Sequence, residues 1–254
     1  ADFFGTLVEG VKGQRAVDWR FVDAVYPASR FKAAVKEHAE KLAALSNRPE
    51  GATGITLNPL GAKASDAGIE YSTVSLQIDR ARRVATIIVR APEGDLPQTA
   101  DAIHAAGDQF WPLRAFRELE DAILQLRQNE PQIGVIVFKA EGDPAKVLEA
   151  DRILLANQDN WLAREILHFM KRTLKRVDLT ARSLFAIIEP GNAFAGSLLE
   201  LALAADRQYM LDDPDKPNSI QLSEMNGGPL PMSNGLTRLQ VRFLGEPESV
   251  EKAL

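Results

Sequence analysis

The sequence predicts an α/β fold, with helices packed on a largely parallel sheet. Three observations carry that expectation. Val74, Leu76 and Ile78 alternate with polar residues, and the β-branched run Val84–Val89 follows after a basic turn, so the two read as a strand hairpin. From residue 113 onward, amphipathic helical periods alternate with short apolar runs, the pattern of helices laid over parallel strands. The composition is that of a chain able to bury a large core: 254 residues, 45% hydrophobic and 26% charged.

The elements follow in order. Residues 30–46 form a helix, with Phe31, Ala34, Val35, His38, Leu42 and Leu45 on one face and Ser29 as its N-cap. The stretch 49–73, rich in Gly, Ala, Asn and Ser, reads as a linker that separates a helical unit, 1–48, from a second unit, 74–254. After the hairpin come a helix at 113–127, a buried strand at 133–139, a helix at 160–177 and a buried strand at 183–188. Residues 195–205 are apolar nearly all round, hence a deeply buried helix. Strands at 207–211 and 219–223 and a helix at 232–243 complete the reading. The chain lacks an initiator Met and stops in what reads as a new helix after Pro247, which suggests an internal fragment.

Charge and composition narrow the function classes. The net charge of −5 does not suit a nucleic-acid coat. Without cysteine there is no disulfide, thiolate nucleophile or Cys-bound zinc, and His38, His104 and His168 lack metal-ligand spacing, so no metal is expected. No apolar stretch reaches the ~18 residues of a membrane span, and no signal peptide is seen, so a cytoplasmic protein is expected.

Three features carry chemistry. At Ala195-Gly196-Ser197 a buried strand turns into a buried helix through small residues, so backbone N–H groups at the helix start can face a developing oxyanion. The same small residues would also serve a tight junction that binds nothing. Glu200 sits among leucines, where a carboxylate has a raised pKa and needs a partner such as Arg207. Glu224 opens the Gly/Pro loop 225–231 and could face Glu200 across a cleft as a water-activating pair. The run Lys171–Arg176 reads as a solvated helix face.

The order of elements resembles the crotonase (enoyl-CoA hydratase/isomerase) superfamily and its ββα spiral module. The resemblance rests on the hairpin at 74–89, on Glu118–Ile123 through Ile133–Asp143, on 183–211, and on 220–239 with Glu224, Leu230-Pro231 and Gly235-Leu236-Thr237-Arg238-Leu239. Residues 1–48 are similar to the helical C-terminal end of a preceding module of that kind. Phe110-Trp111-Pro112-Leu113, Arg182–Gly191 and Phe194-Ala195-Gly196 resemble a ring-opening branch of the superfamily.

The resemblance implies a coenzyme A thioester substrate, no cofactor, and a homo-oligomer. It implies that Glu200 and Glu224 are the catalytic carboxylates and that Gly196, Ser197 and Ala150 supply oxyanion and substrate contacts. For the ring-opening branch it implies conversion of 2,3-epoxybenzoyl-CoA to 3,4-dehydroadipyl-CoA semialdehyde and formate. Two alternatives stand beside it: a catalytically degenerate scaffold or interface repeat, and an enoyl-CoA hydratase/isomerase. The scaffold alternative draws on Val147–Asp151, where the family's Gly-containing oxyanion turn is replaced by Leu148-Glu149-Ala150.

Overall fold

A computed structural model of the chain describes residues 10–48, 51, 53–216 and 218–254. Residues 1–9, the start of the expected helical unit, lie outside these. The chain divides into two compact units, 1–54 and 55–254.

In the first unit, helix α1 (Gln14–Asp18) and helix α2 (Ala28–Ala44) are described. The N-cap of α2 is Pro27, not Ser29, which lies inside the helix; the fixed extended backbone of proline starts the helix without a side-chain cap. On α2 only Ala34 is buried, while Phe31, Val35 and Leu42 stay exposed.

The second unit is built on one mixed seven-stranded sheet in sequence order, with β1 (Lys63–Ser65), β2 (Gly68–Glu70), β3 (Val74–Asp79), β4 (Val84–Arg90), β5 (Val135–Glu141), β6 (Ser183–Ile188) and β7 (Arg207–Met210). β1 to β4 pair antiparallel, and β4 to β7 run parallel. The hairpin is as expected, with Val74 opposite Val89 and Asp79 opposite Val84. β1 and β2 fall within the stretch expected to be a linker. They join the sheet because Gly68, at φ +140, lets the backbones meet: a Cβ there would stand 1.8 Å from the Leu76 carbonyl oxygen.

The crossovers carry the helices α3 (Ala100–Ala106), α4 (Trp111–Asn129), α5 (Pro144–Ala156), α6 (Trp161–Asp178) and α7 (Gly196–Ala204). Leu113, Phe116, Leu119, Ile123 and Leu126 line the buried face of α4, which packs on α6 and on β3 and β4. α7 packs against α5, α6 and β6, and Gly196 through Ala202 are all buried, so the nearly apolar sequence of this helix matches its central place. Neither α3 nor α5 was expected. α5 starts at an Asp143 N-cap, whose carboxylate accepts from the Ala145 N–H at 2.9 Å, with Pro144 as its first residue.

Two further expectations shorten. Residues 219–223 form no strand; they keep one parallel bridge, Ala195 to Gln221. The helix expected at 232–243 is only α8 (Arg238–Arg242), because Met232–Leu236 closes as a turn and Thr237 then caps with Gln240. α9 (Pro247–Ala253) ends the described chain. Among the described residues no helix is long and apolar enough to cross a membrane.

Candidate functional site

The start of α7 is the place where the candidate residues meet. Ala195 caps the helix in extended conformation, and Gly196 turns in at φ +45. A helix start leaves its first N–H groups without intrahelical partners, and these are what an oxyanion site would use. Here each is taken. The Gly196 N–H donates to the Gln221 carbonyl at 3.0 Å, and those of Leu198 and Leu199 donate to the Ala195 carbonyl at 3.0 and 3.2 Å. The Ser197 N–H donates to Oδ2 of Asp151 at 2.6 Å. A carboxylate of the protein itself therefore sits on the donor, at the positive end of the helix dipole.

Asp151 reaches that position from α5, and Gly196 makes room for it. A Cβ on residue 196 would stand 2.1 Å from Asp151 Oδ2 and 3.1 Å from Ser223 Oγ. The small-residue turn thus admits a side chain from the neighbouring helix. Asp151 is 1% exposed, and among the described residues neither its Oδ1 nor Ser197 Oγ has a hydrogen-bond partner. Burial pushes its carboxyl up to about 7, the negative charge of Glu200 adds to that, and its contacts with Ser197 oppose it.

Ala150, expected as an oxyanion donor in a turn, is instead fully buried in the middle of α5. An interior helical N–H is consumed by the carbonyl four residues earlier, so this amide has nothing to offer a ligand. Glu149, beside Ala150 in the sequence, pairs with Lys146 at 2.9 Å and Gln98 at 3.0 Å.

Glu200 is buried as expected, but its partner is Arg238, not Arg207. Its Oε2 accepts from Arg238 Nη1 at 2.7 Å and its Oε1 from Asn226 Nδ2 at 2.6 Å. Arg238 is buried too and grips Asp178 with Nε at 3.0 Å and Nη2 at 2.7 Å. Asn226 also donates to the Gly196 carbonyl at 2.9 Å and accepts from the Ser223 N–H at 3.0 Å. Burial raises the Glu200 pKa from its ordinary value, against the opposing pull of Arg238 and Asn226. Arg207 donates to the Asp206 carbonyl instead. Both oxygens of Glu200 are thus committed to structure.

Glu224 is exposed at the start of a short 3₁₀ turn, Glu224–Gly227. It lines a cleft of about 640 Å³ together with Asp151, Arg152, Leu155 and Ser223. Glu200 is not on that wall. The acidic residue that shares the cleft with Glu224 is Asp151.

Asp151, Asn226, Arg238 and Asp178 were not singled out from sequence. Asp151 had a signal: with 144–156 read as a helix, it falls between Ala150 and Ile153 on the inward face. Arg238 lies in the quoted stretch 235–239, yet nothing local ties it to a glutamate 38 residues away. Among the described residues no group of His, Cys, Asp and Glu is arranged to hold a metal ion.

No protein-family model matches the chain. It is similar to the benzoyl-CoA-dihydrodiol lyase of Aromatoleum evansii, 47% identical over 250 residues, which cover 98% of this chain and 45% of that protein. Solved structures with partial likeness include an enoyl-CoA hydratase from Geobacillus kaustophilus HTA426 (TM-score 0.45, 18% identity, 72% of this chain and 60% of that one). Another is DspI of Pseudomonas aeruginosa (TM-score 0.46, 16% identity, 75% and 67%). The chain is a homologue, by sequence, of a little under half the length of benzoyl-CoA-dihydrodiol lyase.

Proposed function

We propose that the whole protein is a crotonase-type lyase acting on a coenzyme A thioester. In this reading it opens the ring of 2,3-epoxybenzoyl-CoA with water, giving 3,4-dehydroadipyl-CoA semialdehyde and formate without a cofactor. We further propose that this chain supports the reaction without performing it. The reaction class draws on the name of the relative from Aromatoleum evansii. The supporting role draws on one observation above all: the Ser197 N–H is already bonded to the buried carboxylate of Asp151.

The physics of the reaction makes that observation weigh. Thioester chemistry needs convergent N–H donors for the oxygen that becomes negative, and losing one donor costs about 3–4 kcal/mol in the transition state. Here the Gly196 amide serves Gln221, the Ser197 amide serves Asp151, and the Ala150 amide lies inside α5. An ionised Asp151 would also repel the oxyanion, by roughly 4 kcal/mol for like charges ~4 Å apart at an effective dielectric of ~20. Glu200 is buried, bonded to Arg238 and Asn226, and off the wall of the cleft that Glu224 lines.

The test is turnover. The 254-residue chain alone, offered 2,3-epoxybenzoyl-CoA or an enoyl-CoA, is expected to give no product, and a chain extended to the full length of the relative is expected to give ring opening. Turnover by this chain alone that Glu200→Gln or Glu224→Gln abolishes would overturn the supporting role.

A further inference from the structure

A second cleft, of about 620 Å³, lies at the opposite end of the parallel strands from the start of α7. It is formed where β4, β5 and β6 begin, and its walls include Arg82, Arg83, Arg127 and Arg182. Among the described residues no acidic one lines it. Two carboxylates nearby are already engaged, Asp79 with Arg82 at 3.7 Å and Glu130 with Arg80 at 2.5 Å.

Among the described residues no carboxylate pairs with the other three guanidinium groups. Arg182 is fixed by three backbone carbonyls: Nε donates to Ile133 at 2.7 Å, and Nη2 donates to Leu126 at 2.7 Å and Glu130 at 3.0 Å. Arg83 is fixed on Gln132, through Nε to its carbonyl at 3.1 Å and Nη2 to its side-chain oxygen at 3.0 Å. In both, Nη1 has no hydrogen-bond partner among the described residues, and Arg127 has neither hydrogen bond nor ion pair there. Burial and the neighbouring positive charge of Arg127 push the Arg182 pKa down from its ordinary value. Three like charges gathered on one wall without a counter-charge are costly unless an anion joins them.

We propose that this cleft binds a phosphate-bearing anion of the pyrophosphate type, gripped by Arg83, Arg127 and Arg182. Their neutral anchors hold Arg83 and Arg182 in place with Nη1 left to donate to phosphate oxygens, and the unbonded guanidinium fork of Arg127 can take two oxygens at once. More than one positive charge waits for neutralisation, so a multiply charged phosphate fits better than a single carboxylate.

The experiment is a calorimetric titration of the 254-residue chain with inorganic pyrophosphate in a phosphate-free, low-salt buffer. Saturable 1:1 binding is expected, weakened about tenfold or more in Arg127→Gln, as the loss of one charge-assisted contact gives. Arg172→Gln, on the exposed face of α6, is expected to bind like the parent chain. In parallel, the side-chain Nε–H resonances of Arg83 and Arg182 in the unsubstituted chain are expected to move with pyrophosphate, a readout independent of whether any variant folds. Absence of saturable binding, equal binding by Arg127→Gln, or unmoved Arg83 and Arg182 resonances would overturn the proposal. Capture on phosphatidylserine-containing vesicles without pyrophosphate binding would overturn it as well, by assigning these arginines to a lipid surface.

Discussion

Replacing Asp151 by Asn is expected to stabilise the protein in alkali and to leave it nearly unchanged in acid. The carboxyl is fully enclosed between α5 and the start of α7, and its pKa lies at about 7 instead of the ordinary 3.8. A carboxyl whose folded pKa is raised binds its proton more tightly in the folded state. Its contribution to stability is complete below pH ~4 and is lost as pH rises to ~7. The difference of about 3 pH units corresponds to roughly 4 kcal/mol, of which roughly 2–3 kcal/mol falls between pH 5.0 and pH 8.5. Asparagine keeps an oxygen for the Ser197 N–H and does not ionise. Urea unfolding of both proteins at the two pH values measures the effect. The stability of Asp151→Asn relative to the parent should rise by roughly 2–3 kcal/mol on going to pH 8.5. A pH-independent difference, or a variant that loses ground in alkali, would refute the reasoning and make Asp151 a permanently ionised partner of the helix dipole.

Other substitutions follow from the same geometry. Arg238→Ala should cost about 3–5 kcal/mol in urea unfolding, because Glu200 and Asp178 are left as uncompensated buried charges. Adding Glu200→Gln to Arg238→Ala should recover part of that loss. Gly196→Ala should destabilise by roughly 2 kcal/mol or more, since its Cβ meets Asp151 at a backbone angle alanine avoids, and Asp151→Gly should relieve the collision. Glu118 accepts from the backbone N–H and hydroxyl groups of both Ser72 and Thr73. Burial works to raise its pKa, but those hydrogen bonds hold it below the ordinary value, so its stabilisation is present at neutral pH and lost as pH falls through the depressed folded pKa. Glu118→Gln should accordingly flatten the acid limb of a stability–pH curve.

Legibility from sequence followed the range of the forces involved. The helices α4, α6 and α7 and strands β3 to β6 were readable because each carries its apolar signal, a periodic face or a nearly continuous run as in α7, in its own local sequence. β1 and β2 carry no such period: β1 is wholly exposed, and both exist by edge pairing at Gly68. α5 was hidden because Ala, Lys and Asp dilute its apolar face, although Asp143-Pro144 marks its start. Glu200 was legible as a buried carboxylate in need of a partner, since its neighbours state its environment. Its partner was not, because Arg238 reaches it only through the tertiary path of the loop 225–237. Asp151 shows the same limit: nothing near residue 197 in the chain shows that its amide is taken from another helix.

The most direct measurement is an amide NMR titration of the isotope-labelled chain with benzoyl-CoA, followed at Ser197. The account expects the Ser197 N–H to be protected from solvent exchange, held by Asp151, and unmoved by the thioester. A saturable shift of that resonance, absent in a titration with free coenzyme A, would show that the thioester oxygen displaces the Asp151 carboxylate, and would contradict the supporting role.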